Sequence, residues 1–235
     1  MASHLDKKKE LLGSKSGNFS AVIFDIDGTV WDIFPIYYKA VNGVVEKYGL
    51  PAFEIDFLIG LLKSGESFAE KLREIKESFS LHISMEALMS EIKHIFRDLE
   101  ERTVQPYPGV KPLFLHLKKN SLKIGIATGR SSSRVRLRKI CRRMGIDHFI
   151  DAVASQLYVQ NRKPAPDLIL DCAGRLMISP ERCLVIGDTK DDILAAKEAG
   201  AAAIGILSGI DNYEEMIAVK PLAVVKRLED IVAFI

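Results

Sequence analysis

The chain has 235 residues, 48% hydrophobic and 27% charged, with a net charge of +2. These proportions fit one or two globular domains and exclude disordered, collagenous and fibrous classes. The near-balanced charge supplies no field that would draw nucleic acid or an acidic membrane.

Three cysteines, Cys141, Cys172 and Cys183, are too few for a disulfide framework and lack metal-ligand spacing. Apolar stretches such as Ala201–Leu207 fall far short of the roughly 20 residues a membrane helix needs. Residues 1–19 are polar and basic without the apolar centre of a secretory signal, and read as a flexible leader. A soluble cytoplasmic protein is expected.

From residue 21 onward, short apolar runs of strand length recur: AVIF (21–24), LKIGIA (122–127), DAVAS (151–155), CLVIG (183–187), AAAIGI (201–206) and LAVV (222–225). Most are unbroken rather than alternating, as in strands buried on both faces of a parallel sheet. Helix-length segments lie between the later runs: Val110–Lys119, Ser131–Met144, Pro166–Met177 and Asp191–Ala199. Ser179-Pro180-Glu181 reads as a turn, because only Arg182 separates it from the run at Cys183. The alternation predicts an α/β protein with a Rossmann-like, doubly wound parallel sheet.

The interval 34–101 breaks the rhythm. Tyr37, Val41, Val44 and Tyr48 are spaced 4, 3, 4, as are Phe68, Leu72, Ile75 and Phe79. Met85, Leu88, Ile92, Ile95 and Leu99 continue at 3, 4, 3, 4, with Gly49-Pro51 and Ser64-Gly65 as punctuation. Each set lies on one helical face and predicts core packing within an inserted all-helical cap. The organisation expected is a core of residues 20–32 and 104–235 and a cap of residues 33–103.

The segment AVIFDIDGTV (21–30) ends a buried strand in two carboxylates, Asp25 and Asp27, followed by Gly28 and Thr29. Residues two apart on extended backbone share a side, so both carboxylates can face one point. That point lies beyond a strand's carboxyl end, where open α/β sheets bind ligands. Such a pair can hold a divalent metal, divide nucleophile and acid/base roles, or both. D-x-D-G-T arises by chance in only about 0.3% of chains this long, which disfavours a mere turn or helix cap.

Three further polar points lie beyond or between strands. Thr128-Gly129-Arg130 follows LKIGIA before a helix, where a hydroxyl and backbone N–H groups can hold an anion. Lys163 stands in RKPAPD between stiffening prolines, Pro164 and Pro166, and Gly187-Asp188-Thr189-Lys190-Asp191-Asp192 follows CLVIG.

DIDGT, the Thr of IATGR, the Lys of RKPAPD and GDTKDD resemble, in order, the four motifs of the haloacid-dehalogenase-like hydrolases. The resemblance covers about residues 20–235. The helical interval is similar to the type I cap of the phosphoglycolate-phosphatase-like branch. It implies that Asp25 is the nucleophile, forming an aspartyl phosphate, and Asp27 the acid that protonates the leaving oxygen. Thr128, Gly129 and Lys163 would bind the phosphoryl group, and Arg130, beside Thr128, is a candidate substrate contact. Mg2+ would be held by Asp25, the Asp27 carbonyl and Asp188, with Asp192 supporting the site and Asp191 an extra acid beside it. The second Asp favours phosphoryl transfer over dehalogenation, because an alkoxide leaving group needs a proton and a halide does not. Mg2+ and Lys163 would cancel the repulsion between a phosphate dianion and a carboxylate nucleophile. The function expected is hydrolysis of a small phosphorylated metabolite, with a phosphomutase of the β-phosphoglucomutase type as the nearest alternative.

Other signals carry less. Gly60-Leu-Leu-Lys-Ser-Gly65-Glu66-Ser67 nearly spells a P-loop, but Glu66 stands where the phosphate-binding Lys belongs and no strand precedes it. Lys63, Ser64 or Glu66 could instead face the substrate from a cap loop. Arg130, Arg134, Arg136, Arg138, Lys139, Arg142 and Arg143 form a basic segment, the basis of an alternative as a nucleic-acid-binding module that has lost catalysis. No aromatics are interleaved for base stacking, so a solvated helix face is expected. The five histidines are scattered and form no metal or triad pattern.

Overall fold

The computed structural model describes residues 19–64, 68–78 and 83–235. Six parallel strands, β1 (Ala21–Phe24), β2 (Lys123–Thr128), β3 (Ala152–Ser155), β4 (Cys183–Gly187), β5 (Ala202–Ile206) and β6 (Ala223–Val225), form one sheet in the order β3-β2-β1-β4-β5-β6. The order reverses beside β1, which places the end of β1 at the switch point where such sheets bind ligands.

The unbroken apolar runs serve two cores. On one face Val22, Phe24, Ile124, Ile126, Leu184, Ile186, Ile204 and Ile206 join a cluster of large side chains around Phe114 and Leu137. The alternate residues Ala21, Ile23, Cys183, Val185 and Ala203 meet Leu168, Cys172 and Ala196 on the other face. That second face is lined by small residues, so its helices approach closely. A Cβ on Gly125 would stand 2.5 Å from the sulfur of Cys172.

The flanking helices are α5 (Val110–Lys119), α6 (Arg134–Arg143), α7 (Asp167–Leu176), α8 (Lys190–Glu198) and α9 (Tyr213–Ala218). The first four occupy the predicted segments: α5 has the predicted bounds, α6 and α7 are trimmed at both ends, and α8 is shifted one residue earlier. Ser133 accepts the Arg136 N–H at 3.3 Å and so starts α6 three residues late. Ser179–Arg182 is a tight turn, with one turn of 3-10 helix at Pro180–Arg182. The six-residue α9 and the 3-10 segment Leu228–Phe234 are additions the sequence reading lacks.

Between β1 and α5 lie α1 (Phe34–Lys47), α2 (Ile55–Ser64), α3 (Phe68–Ser78) and α4 (Met85–Thr103). They enclose a separate cluster of Val41, Val44, Val45, Leu50, Leu58, Leu72, Leu88 and Ile92. The stripes therefore do point into a core, with Tyr37, Tyr48, Met85 and Ile95 packed at its margin. The side chains of Phe68, Ile75 and Phe79 lie outside the described residues, as do those of Lys63, Ser64 and Glu66. Buried Asn42 ties α1 to the following loop, donating to the Phe53 carbonyl at 3.0 Å and accepting its N–H at 2.8 Å. The two strands of chain leading into and out of this helical segment run together: Trp31 bridges Pro106, and the Tyr107 N–H donates to the Val30 carbonyl at 2.8 Å. Among the described residues no helix is long and apolar enough to cross a membrane.

Candidate active site

The polar residues singled out above meet at the carboxyl ends of β1, β2 and β4. Asp25 follows β1 directly, and its N–H continues the sheet ladder by donating to Ile186 at 2.8 Å. Lys163 reaches under it from the loop before α7. Its ammonium donates to Asp25 Oδ1 at 2.7 Å, to Asp192 Oδ1 at 2.6 Å and to the Ala127 carbonyl at 2.8 Å. All three ammonium protons are thus used. Only 10% and 12% of the Lys163 and Asp25 side chains stay exposed.

Asp188 lies buried at the end of β4. Its Oδ1 accepts the Thr29 hydroxyl at 3.0 Å and its Oδ2 the Ile210 N–H at 3.1 Å. The loop after β5 is wrapped around this carboxylate. A Cβ on Gly209 would fall 1.7 Å from Asp188 Oδ2, and one on Gly28, whose φ is +78°, 2.4 Å from it. Ser208 fastens the same loop to the motif after β1 by donating to the Gly28 carbonyl at 2.6 Å.

Asp192, not Asp191, is the acid that reaches Lys163. The reason is helical phase. Thr189 caps α8, and Asp192 in the third helical position returns the bond to the Thr189 N–H at 3.1 Å, a capping box. Its Oδ2 also takes the Thr189 hydroxyl at 2.6 Å, so both oxygens serve Lys163 and the cap. A Cβ on Gly187 would strike this side chain at 2.3 Å.

Three carboxylates around one ammonium leave an excess of negative charge. Burial first, then the charges of Asp192 and Asp27, outweigh Lys163 and raise the Asp25 carboxyl to about 7. Burial, with the charges of Asp25 and Asp192, raises Asp188 well above the usual carboxylate range despite its Ile210 and Thr29 donors. Burial opposes the charge on Lys163, but Asp192 and Asp25 together keep it firmly protonated. Oxygen donors with unneutralised charge are what a hard divalent cation requires, so the residues fit Mg2+. Among the described residues no three His, Cys, Asp or Glu side chains are grouped to enclose a metal. Two carboxylates with waters suffice for Mg2+, which retains much of its hydration.

Thr128 is buried at the end of β2, its Oγ1 accepting the Arg130 N–H at 3.2 Å. A side chain on Gly129 would project into open space. The Arg130 guanidinium is engaged by two carboxylates. Its Nε and Nη2 donate to Asp27 at 2.5 and 2.6 Å, and Nη1 donates to Glu100 of α4. Asp27 Oδ1 also accepts the Trp31 indole N–H at 2.8 Å. Glu100 and Trp31 are partners the sequence reading missed. Arg130 also lines a cavity of about 390 Å3 together with Tyr37, Ile92, Phe96 and Arg97 among others.

Most cations of the basic helix α6 are engaged. Arg136 pairs with Glu100 and Glu101, Lys139 with Glu101, and Arg138 and Arg142 with Asp147. Arg134 pairs with Asp171 and lies 3.7 Å from the centre of the Tyr158 ring. Arg143 donates to the carbonyls of Glu100, Arg102 and Val104 at the end of α4. The helix is a strap to α4 and the neighbouring loops.

The profile of the haloacid dehalogenase-like hydrolases matches residues 22–206. A phosphorylated carbohydrates phosphatase of Thermotoga maritima is 29% identical over 218 residues, 88% of this chain and 94% of that protein. A β-phosphoglucomutase of Bacillus subtilis is 32% identical over 196 residues, 80% of this chain and 84% of its own length. A solved structure described as a predicted phosphoglycolate phosphatase, from Haemophilus somnus, superposes with a TM-score of 0.78 at 19% identity, covering 92% of this chain and 97% of that one. With the four motifs in order at the ends of a parallel sheet, the chain belongs to the haloacid dehalogenase-like hydrolase family.

Proposed function

We propose that the protein is a cytoplasmic Mg2+-dependent phosphatase that hydrolyses a phosphate monoester of a small metabolite through an aspartyl phosphate on Asp25. The observation that carries this reading is the cluster beyond the ends of β1 and β4 in which hydrogen bonds join Lys163 to Asp25 and Asp192, with Asp188, bonded to Thr29, close enough to feel the charges of both acids. Asp25, the Asp27 carbonyl and Asp188 would hold the metal, and Asp192 supports them by holding Lys163. When bound, Mg2+ would neutralise the phosphoryl oxygens and lower the repulsion that the nucleophile meets.

An Asp25 oxygen attacks phosphorus as the bond to the leaving oxygen breaks, and Asp27 gives that oxygen its proton. Water then attacks phosphorus, its proton passes to Asp27, and the bond to Asp25 breaks to release phosphate. Thr128 and the Gly129 N–H group bind the phosphoryl oxygens in both steps, and the Lys163 ammonium, held by Asp25, Asp192 and the Ala127 carbonyl, neutralises their charge. The second carboxylate, Asp27, supports an alkoxide leaving group, which needs a proton, and so hydrolysis of phosphate esters rather than of halides.

Phosphate release from a panel of phosphorylated metabolites, with Mg2+ and with EDTA, tests the reading. Release that needs metal and disappears in Asp25→Asn supports it. Release that survives in the variant overturns it. The likeness to a β-phosphoglucomutase supports a second reading, in which the phosphoryl group returns to a sugar. Isomerisation of a glucose phosphate dependent on trace bisphosphate, with little free phosphate, would favour it.

A further inference from the structure

Arg130 carries two carboxylates on one planar group, one from the segment after β1 and one from α4. Its Nε and Nη2 edge makes the forked contact to Asp27, and Nη1 is held by Glu100. Glu100 is itself immobilised: its side chain is 1% exposed, and its other oxygen accepts Arg136 Nη2 at 2.6 Å. The guanidinium is confined between rings, 5.4 Å from the centre of Trp31 and 5.7 Å from that of Phe96.

Arg136 and Arg143 of α6 already hold the Glu100 carboxylate and the carbonyls of Glu100 and Val104, so the docking of α4 on α6 does not need Arg130. The fork reaches past α4 to Asp27, whose side chain is 29% exposed on the segment after β1. What a fork does add is geometry. Two parallel N–H···O bonds fix the plane of a carboxylate as a single bond cannot.

We propose that Glu100 and Arg130 are positioning residues for Asp27: Glu100 sets the guanidinium, and the guanidinium sets the plane from which Asp27 serves the leaving oxygen. The inference rests on the phosphatase reading above, in which Asp27 is the proton donor. It makes the placement of α4 part of the chemistry, since Glu100 enters the site from that helix.

The test uses the full chain as wild type, Glu100→Gln and Arg130→Lys. Single-turnover release of the leaving alcohol is measured with an alkyl phosphate and with p-nitrophenyl phosphate, whose phenolate leaves without a proton. A displacement of about 1 Å in a reacting group costs about a hundredfold. Each variant is therefore expected to lose at least about tenfold more rate on the alkyl ester than on the aryl ester. Equal losses on both esters would make the cluster a structural strap and overturn the positioning role alone. No metal-dependent release from either ester in wild type would instead sink the phosphatase reading.

A second readout is independent of turnover. Trp31 is the single tryptophan, it donates to Asp27, and it faces the guanidinium. Its emission should shift in Glu100→Gln while the far-ultraviolet circular dichroism stays unchanged; unchanged emission contradicts the coupling. If Glu100→Gln fails to fold, Arg130→Lys, which keeps every charge but not the fork, decides by the same two readouts.

Discussion

Asp25 carries a cost in the metal-free protein that Asp25→Asn should remove. Its carboxyl is raised from 3.8 to about 7 by burial and by Asp192 and Asp27, against the pull of Lys163. A carboxyl raised on folding binds its proton more tightly in the native state than in the unfolded chain. Stability then falls as pH rises through the interval between the two values and is level above it. At 1.36 kcal/mol per tenfold change, a shift from 3.8 to about 7 amounts to about 4 kcal/mol above neutral pH. The group is 9% exposed, so solvent screens little of this, and the figure is an upper bound. Urea unfolding in EDTA should show Asp25→Asn more stable than wild type, by up to about 4 kcal/mol near pH 8 and less than half of that near pH 5. Added Mg2+ should stabilise wild type and narrow the gap. An Asn variant less stable than wild type near pH 8, or a gap that does not shrink in acid, would refute the electrostatic argument.

Other expectations follow from single contacts. Gly209→Ala places a methyl 1.7 Å from Asp188 Oδ2, so the carboxylate or its loop must move; a loss of about 1–3 kcal/mol and weaker Mg2+ affinity are expected, checked by denaturation and by titrating activity with metal. Gly125→Ala meets the Cys172 sulfur at 2.5 Å and should cost a similar amount in a melt, with Cys172→Ala recovering part of it. All three thiols are buried, and burial pushes Cys141 up to about 12 and Cys183 up to about 11. Iodoacetamide should therefore leave the native protein unlabelled near pH 8 and label it in denaturant, read by intact mass.

What was legible in the sequence was what local chemistry decides. Runs such as AVIF and CLVIG have no polar residue to turn outward, so strands buried on both faces were the reading, and the two clusters flanking the sheet account for it. Tyr213–Ala218 escaped because six residues with an acidic first turn show no helical period. The choice between Asp191 and Asp192 was open in the motif, yet Thr189-x-x-Asp192 is a capping-box pattern whose phase points to Asp192. Glu100 was illegible for a different reason. It stands among Glu101, Arg102 and Asp98 as one more acid on a polar helix, and only arginines at least thirty residues later bury it. The loop at Ser208–Ile210 was equally silent, since a backbone N–H donor leaves no mark on residue type.

The central claim is that Asp25 itself accepts the phosphoryl group. Acid quenching of turnover with an active phosphate ester and Mg2+, followed by peptide mass spectrometry, tests it most directly. The account predicts a phosphorylated peptide with the group on Asp25, absent in EDTA and in Asp25→Asn. Metal-dependent turnover with no covalent phosphate on Asp25, or with the phosphate on another residue, would contradict it.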